Sequence, residues 1–409
     1  MKRGVAVRIV AADLLHRVLV EGAYSNIVVR TGTRDLDDRD RRRCQRLLYS
    51  TIRMLPRVDA VISAYSTRSD IDDTVWDTLR VAVTELLFLD GDAYAVVDGA
   101  VEAIRERGMP RAAGFVNGVL RSVARGGEPA LPAGTGGDAL RLGTPPWLYE
   151  RLSELWDPRE AAAFLEASNR EAAIGLRERP GGRAPGEPFP GIAGSYVSSD
   201  AGAVGEAVAS GDVAVVDPAS TAVGLAVGAR RGDRVVDLAA APGGKTLHLW
   251  DQTGGADGLY AGDRHRRRVE SARRRLDRIG VRVPWVVADA GDPPFRAGSF
   301  DRVLLDAPCT GLGTLRRRPE IKLKLRPSSP AEAGRDQRRM LEGALELLRP
   351  GGRLVYSVCT VFPEETIDVV AGLGASSPAG LPGRAWGDGL LLAPHLTATD
   401  GMFVAVFEP

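Results

Sequence analysis

Apolar positions change their period once along this chain. Over the first 125 residues they recur at three- and four-residue spacing, as at Val7, Val10, Leu14, Val18 and Leu19. That spacing places them on one face of a helix. Further helices are expected at about 38–65, 73–90, 93–107 and 110–125, where Gly and Pro are sparse. A Gly/Pro-rich stretch then reads as a linker. Two short helices are expected between Thr144 and Asn169, and residues 180–195 read as irregular. From about residue 213, short apolar runs at 234–238, 258–263, 284–289, 300–306, 352–358 and 402–408 alternate with helical runs, notably 265–279 and 335–349. This alternation predicts an α/β fold with a mostly parallel sheet. The expected division is 1–127 helical, 128–142 linker, 143–212 a small connecting subdomain and 213–409 the α/β domain.

A length of 409 residues suits two or three domains, and 44% hydrophobic residues suffice for their cores. Formal net charge is only +1, so no global field draws the chain to nucleic acid. Basic charge is local instead, as at Arg264–Arg268, Arg273–Arg275 and Arg316–Arg318. Such clusters suit phosphate, although a solvated helix face explains any one of them equally well. Three cysteines without a Cys-x-x-Cys pair argue against a disulfide framework or a structural zinc. His16, His248, His265 and His395 are scattered, and no metal site is legible. The N-terminal segment carries Arg8, Asp13, His16 and Arg17, which marks an amphipathic helix rather than a signal peptide. No apolar run approaches the roughly 18 residues of a spanning helix. A cytoplasmic protein without a membrane partner is expected.

Residues 235–246 read as strand, tight turn and helix start: Val-Val-Asp237-Leu-Ala-Ala240-Ala241-Pro242-Gly243-Gly244-Lys245-Thr246. Paired glycines let the backbone approach a ligand where a side chain would collide. The Gly-Lys-Thr ending invites a nucleotide-triphosphatase reading, but that pattern needs glycine where Ala239 stands. Asp263, at the end of the next strand, is placed to accept from ribose hydroxyls, and Asp289, after the third, to sit beside a base. By themselves these residues specify S-adenosylmethionine or a dinucleotide.

Cys309 and Cys359 each follow an expected buried strand, in Asp306-Ala307-Pro308-Cys309 and Tyr356-Ser357-Val358-Cys359-Thr360. Ligands of open α/β sheets bind at those strand ends, so both are candidate thiols, whereas Cys44 reads as a small buried hydrophobe. Two thiols beside a methyl-donor loop suit one chemistry. A thiolate adds to carbon 6 of a pyrimidine, and carbon 5 then attacks a methyl group. The reaction also needs an acid near ring nitrogen 3. Asp306 suits that role if burial against the ring raises its pKa. Spacing leaves open which thiol attacks.

At these residues the chain resembles the RNA cytosine-5 methyltransferases of the bacterial RsmB (Sun/Fmu) type. Residues 237–246 resemble that family's cofactor motif, 306–322 its long fourth motif, 356–360 with Glu364-Glu365 its sixth, and Asp400-Gly401-Met402-Phe403 its closing strand. Phe115-Val-Asn-Gly-Val-Leu-Arg121 is similar to the NusB-like domain that precedes the core. The resemblance implies a Rossmann-like, S-adenosylmethionine-dependent methyltransferase core behind an all-helical NusB-like RNA-binding domain. It implies that Cys359 attacks, Cys309 assists product release and Asp306 engages the cytosine edge. Lys245 and residues 240–246 would border cofactor and base, and Asp263, Arg268, Asp289 and Asp306 would contact the cofactor or its surroundings. The implied substrate is a single-stranded or looped cytosine in 16S ribosomal RNA, acted on by a monomer. Arg266–Arg278 and Arg316–Arg326 would track phosphates. Family members usually have Cys at Ala239, Thr at Val358 and Asn at Thr366, so the loop holding Cys359 is expected to be looser. Their Arg-x-Asn element is here Arg177-Glu178-Arg179, and residues 180–210 show little sign of their usual helix. These departures motivate the rival reading, a catalytically lapsed RNA-binding or assembly factor.

Overall fold

The computed structural model describes residues 3–409 apart from Ser69 and Ala256; Met1 and Lys2 of the expected first helix lie outside the described residues. By contacts the chain forms two units. One is the chain up to Arg170 together with Leu315–Leu325; the other comprises Glu171–Thr314 and Arg326–Pro409.

The first unit is helical. Its helices are Arg3–Leu19, Ser25–Gly32, Asp38–Tyr65, Asp73–Phe88, Ala93–Glu106, Ala113–Gly126, Thr135–Arg141, Pro146–Leu155 and Pro158–Asn169. Aspartates start four of them, Asp157 by accepting from Arg159 N and Glu160 N. Asp37 accepts from Asp40 N, Asp72 from Thr74 N and Asp92 from Ala95 N, each satisfying an amide that a helix start leaves unpaired. The long helix buries Cys44, Leu47, Leu48, Ile52, Leu55, Val58 and Ile62 along one face, the period expected from the sequence. Three details differ from expectation. Ser25–Gly32 is a helix too short to stand out by periodicity. Thr135–Arg141 is helical inside the expected linker, and Arg8 is buried, held by Glu85 at 2.7 and 3.0 Å rather than by water.

Leu315–Leu325 is built into this helical unit. Glu320, fully buried, accepts from Ser25 N at 3.0 Å and Ser25 Oγ at 2.7 Å. Lys322, also buried, donates to the Arg53 carbonyl at 2.7 Å and Asn169 Oδ1 at 3.1 Å. Lys324 donates to the carbonyls of Gly22 and Ala23, and Arg318 lies over the Tyr24 ring. Much of the charge expected to track phosphates along 316–326 is therefore spent on contacts within the chain.

The second unit holds two sheets. The smaller is antiparallel, in the order β2-β3-β1-β4, with β1 at Ile174–Glu178, β2 at Glu187–Pro188, β3 at Ser195–Ser198 and β4 at Val213–Val215. Sequence reading left 180–195 irregular because its strands are two to four residues long among Gly and Pro. The expectation of no helix near 180–210 is also corrected. Ala201–Ser210 is helical, opened by Asp200 accepting from Gly202 N and Ala203 N and closed by Gly211 at φ +84°.

The larger sheet has eight strands: β5 Val235–Asp237, β6 Leu259–Asp263, β7 Trp285–Val287, β8 Phe300–Asp306, β9 Leu348–Val358, β10 Arg384–Trp386, β11 Gly389–Leu392 and β12 Met402–Phe407. Their order is β10-β11-β12-β9-β8-β5-β6-β7. Pairing is parallel from β9 through β7 and antiparallel from β9 to β10, which bears out the mostly parallel sheet. Side chains alternate between two cores. Val235, Leu304, Val355 and Val404 pack with Ala219, Leu247 and Leu276, while Val236, Val303, Leu305, Leu354 and Phe403 pack with Met340, Leu341 and Ala344. Helices therefore cover both faces, the Rossmann-like arrangement.

Candidate active site

β8 and β5 are neighbours, and the chain order reverses between them. A sheet opens a crevice at such a switch point, outside the carboxyl ends of its strands. The sequence-derived residues of the α/β domain lie at those ends. Residues Ala240–Lys245 form the turn after β5 and lead into the helix Gly244–Gln252. Gly243 adopts φ +97°, which favours glycine, and a Cβ on Gly244 would meet nothing within 4 Å, so the backbone there is open to a ligand. Asp263 ends β6 and accepts from His265 N at 2.9 Å. Arg268 ties this strand end to the turn, pairing with Asp263 at 3.2 Å and donating to the Ala241 carbonyl at 2.6 Å. Asp289, after β7, is held by Arg339 at 3.0 and 2.9 Å and by Gly291 N at 2.8 Å, bonds that keep it below the usual carboxylate range.

Beneath the turn, Asp237 accepts from Thr246 Oγ1 at 2.7 Å, while its Oδ1 is buried without a hydrogen-bond partner. Burial pushes its carboxyl up to about 7 despite the Thr246 bond.

Asp306 ends β8. Its Oδ2 accepts from Lys245 Nζ at 2.8 Å and its Oδ1 from Ser357 Oγ at 2.7 Å. Burial by itself would lower Lys245, but the pairing with Asp306 outweighs it and the ammonium is held above its ordinary range. The expected lone acid is thus half of an ion pair, with both oxygens already accepting. Three residues on, Cys309 Sγ lies 3.2 Å from Cys359 Sγ, in the loop after β9. The hydrogen bond to Cys359, then burial, raise Cys309 well above the usual thiol range. Cys44, by contrast, is buried in the helical unit, where desolvation pushes it up to about 12.

One carboxylate joins the two thiol loops. Glu365, fully buried, accepts from Thr310 N at 2.8 Å, Thr310 Oγ1, Thr360 Oγ1 at 3.1 Å and Gln337 Nε2 at 3.0 Å. Thr310 follows Cys309 and Thr360 follows Cys359, so one side chain sets the spacing of both sulfurs. Gln337 also donates to the Pro308 carbonyl at 2.8 Å, and Tyr356 donates to Gln337 Oε1 at 3.1 Å and to the Glu365 carbonyl at 2.8 Å. Sequence reading noted Glu365 only as part of a motif. Its one signal was a carboxylate six residues beyond a candidate thiol.

The expected loosening around Cys359 is corrected. Val358 is fully buried in β9 and registers with Phe403, while Thr366 donates to the Phe362 carbonyl at 2.8 Å and accepts from Trp386 Nε1 at 3.3 Å. Arg177 and Arg179 grip Asp251 at 2.6, 3.1 and 3.0 Å, fastening the small sheet to the helix that follows the Gly-rich turn. Among the described residues no His, Cys, Asp and Glu group has a metal-binding arrangement, and no helix is long and apolar enough to cross a membrane.

A switch-point crevice with an open glycine turn, and two sulfurs in contact beside a carboxylate, belong to a Rossmann-like methyltransferase core; the helical unit adds a NusB-like domain. Comparison agrees along the chain. A family model described as 16S rRNA methyltransferase RsmB/F matches residues 225–408, and one described as NusB family matches residues 5–125. Ribosomal RNA small subunit methyltransferase B of Erwinia tasmaniensis is 30% identical over 384 residues, covering 89% of this chain and 89% of the relative. That of Vibrio cholerae is 30% identical over 423 residues, covering 98% and 97%. The crystal structure of PH0851 shares the fold over 100% of this chain and 99% of its own, with a TM-score of 0.83 at 24% identity. The chain belongs to the RsmB/F family of 16S rRNA methyltransferases.

Proposed function

We infer that this methyltransferase modifies carbon 5 of one cytosine in 16S ribosomal RNA through a transient bond between Cys359 and carbon 6, with S-adenosylmethionine as donor. The observation that carries this reading is the 3.2 Å contact between Cys309 and Cys359 beside the Asp306–Lys245 pair. Attack needs a thiolate, and elimination needs a second group that handles a proton. The hydrogen bond to Cys359, then burial, raise Cys309 well above the usual thiol range, which suits it to keep its proton and donate. Cys359 is therefore the nucleophile and Cys309 the thiol that donates a hydrogen bond to it. The Lys245 ammonium, held above its ordinary range chiefly by Asp306, also interacts with Cys359.

Donors and charges then follow the chemistry. As Cys359 Sγ bonds to carbon 6, charge develops across ring nitrogen 3 and the exocyclic edge. Asp306 faces that edge as the shared partner of Lys245, so the pair rather than a lone protonated aspartate supplies the proton. The bound donor supplies an electrophilic methyl to carbon 5. Removal of the carbon 5 proton then returns the carbon 6–sulfur electron pair to Cys359, with Cys309 in place to assist release. The open backbone at Gly244, the Asp263 carboxylate and Arg268 fit an adenosine-bearing sulfonium, with Asp289 toward the base. Reaching carbon 6 requires an unstacked base, so the target is single-stranded, looped or flipped.

Convergence of both thiols, Asp306 and Lys245 supports an enzyme over a lapsed assembly factor. Bisulfite mapping of 16S rRNA from cells with and without the gene tests this directly. One cytosine that loses its mark is the expected result; an unchanged map overturns the reading.

A further inference from the structure

Two sulfurs held 3.2 Å apart can do more than share a proton. A disulfide needs Cα atoms about 4.4–6.8 Å apart, and neighbouring strands of a sheet run about 4.8 Å apart. Cys309 and Cys359 follow neighbouring parallel strands in which Asp306 registers with Ser357. Their loops stay tied to each other beyond the strand ends. Ala307 N donates to the Ser357 carbonyl at 2.9 Å, and Gly313 N donates to the Cys359 carbonyl at 2.9 Å. Thr310 Oγ1 lies 3.1 Å from Thr360 Oγ1, and Glu365 accepts from Thr310 N at 2.8 Å and from Thr360 Oγ1 at 3.1 Å. None of these bonds uses a sulfur. The sulfurs can therefore close by the remaining distance of about 1 Å with every tie intact. Both thiols are half-buried, within reach of a small solute, whereas Cys44 is fully buried.

We propose that Cys309 and Cys359 are also a site of oxidative modification, which hydrogen peroxide closes into an intramolecular disulfide and a thiol reductant reopens, so that methyl transfer stops and resumes. The loss of activity rests on the reading that Cys359 attacks the base; the disulfide itself does not. The steps balance. The Cys359 thiolate attacks one peroxide oxygen, the oxygen–oxygen bond breaks, and the departing hydroxide takes a proton to leave as water. Cys359 is then a sulfenic acid. Cys309 attacks its sulfur, the sulfur–oxygen bond breaks, and a second water leaves. Two thiols and one peroxide thus give one disulfide and two waters. A sulfenic acid that meets no thiol goes on to sulfinic acid, which thiol reductants do not reverse. Here the second thiol is already in contact. The hydrogen bond to Cys359, more than burial, keeps the proton on Cys309. That bond ends when Cys359 is oxidised, which frees Cys309 to attack. The disulfide would therefore spare the nucleophile from permanent loss.

The test treats the full-length reduced protein with hydrogen peroxide in large excess, traps remaining thiols with an alkylating agent and maps the digest by mass spectrometry without reductant. The expected result is a peptide pair joined through Cys309 and Cys359, with Cys44 alkylated. In parallel, covalent-complex formation with RNA should fall to background after peroxide and return to the untreated level after dithiothreitol. Cys309→Ala lacks the second thiol. It should lose complex formation under the same treatment and fail to regain it, with sulfinic acid on Cys359. Should that variant not fold, the wild-type map decides alone. Cys359 as sulfinic acid beside an alkylated Cys309, or both still alkylated after peroxide, would overturn the proposal. A linked chain that still transfers methyl would overturn both the switch and the choice of nucleophile. Failure of the methylation reading alone has a different signature: the disulfide forms and reopens in a chain that transfers no methyl group before oxidation.

Discussion

Cys309 Sγ and Cys359 Sγ touch at 3.2 Å although 50 positions separate them in the chain. The contact exists because β8 and β9 are parallel neighbours, with Asp306 in register with Ser357, so their following loops leave the sheet side by side. With Cys309 retaining its proton, the pair is asymmetric before any RNA arrives.

That asymmetry assigns opposite outcomes to the two thiols. Cys359→Ala should reduce methyl transfer to background with no covalent complex on a denaturing gel. Cys309→Ala should still form the complex but release it more slowly, on the order of 10²–10⁴-fold, the range of a lost proton-handling group. Wild-type turnover by Cys359→Ala would reverse the assignment.

Glu365 should control the geometry of that pair. Glu365→Gln keeps the volume but turns an amide donor toward groups that already donate, at a cost of about 1–3 kcal/mol. Burial also raises the Glu365 carboxyl, and the hydrogen bonds it accepts oppose that rise. The expected result is a fall in kcat and in the rate of covalent-complex formation, with KM for the methyl donor unchanged. A variant that loses only melting temperature would reduce Glu365 to a structural role.

Asp263 offers a separate readout on the cofactor. Asp263→Ala should weaken S-adenosylmethionine binding by between about ten- and a hundredfold, the worth of a charge-assisted hydrogen bond. RNA affinity should stay at the wild-type value. Calorimetry with the donor alone measures the first and a filter-binding assay the second.

His248 makes stability depend on acid. It lies buried against Gly224, where burial lowers it from 6.5 to about 3. Below the unfolded value the unfolded chain takes up a proton that the native chain does not. Its contribution is therefore fully present above pH 6.5 and is lost as pH falls toward 3, at about 1.4 kcal/mol per pH unit. Denaturant titrations between pH 7 and 4 should show this slope, and His248→Gln should reduce it by about one proton.

Local pattern was enough to read the strands from β5 to β9, because each is a short apolar run bounded by Gly, Pro or Asp, and the long helices, because burial on one face imposes a regular period. It also brought out the glycine turn and the Asp-Ala-Pro-Cys and Ser-Val-Cys segments, whose chemistry is carried by neighbouring residues. The small sheet stayed hidden because strands of two to five residues have too few positions to show a period. Where the chain goes after a motif was hidden as well. Leu315–Leu325 continues the segment that carries Cys309, yet Glu320 and Lys322 are buried in the helical unit.

The sequence alone determined which elements form and which reactive groups the chain carries, since both depend on residues adjacent or one turn apart. Only the tertiary structure decided that Asp306 is paired with Lys245, that one buried carboxylate braces both thiol loops, and that Arg177 and Arg179 are occupied by Asp251. Those are meetings of residues tens of positions apart. Strand order and the packing of helices on the sheet bring them together, and no local spacing encodes either.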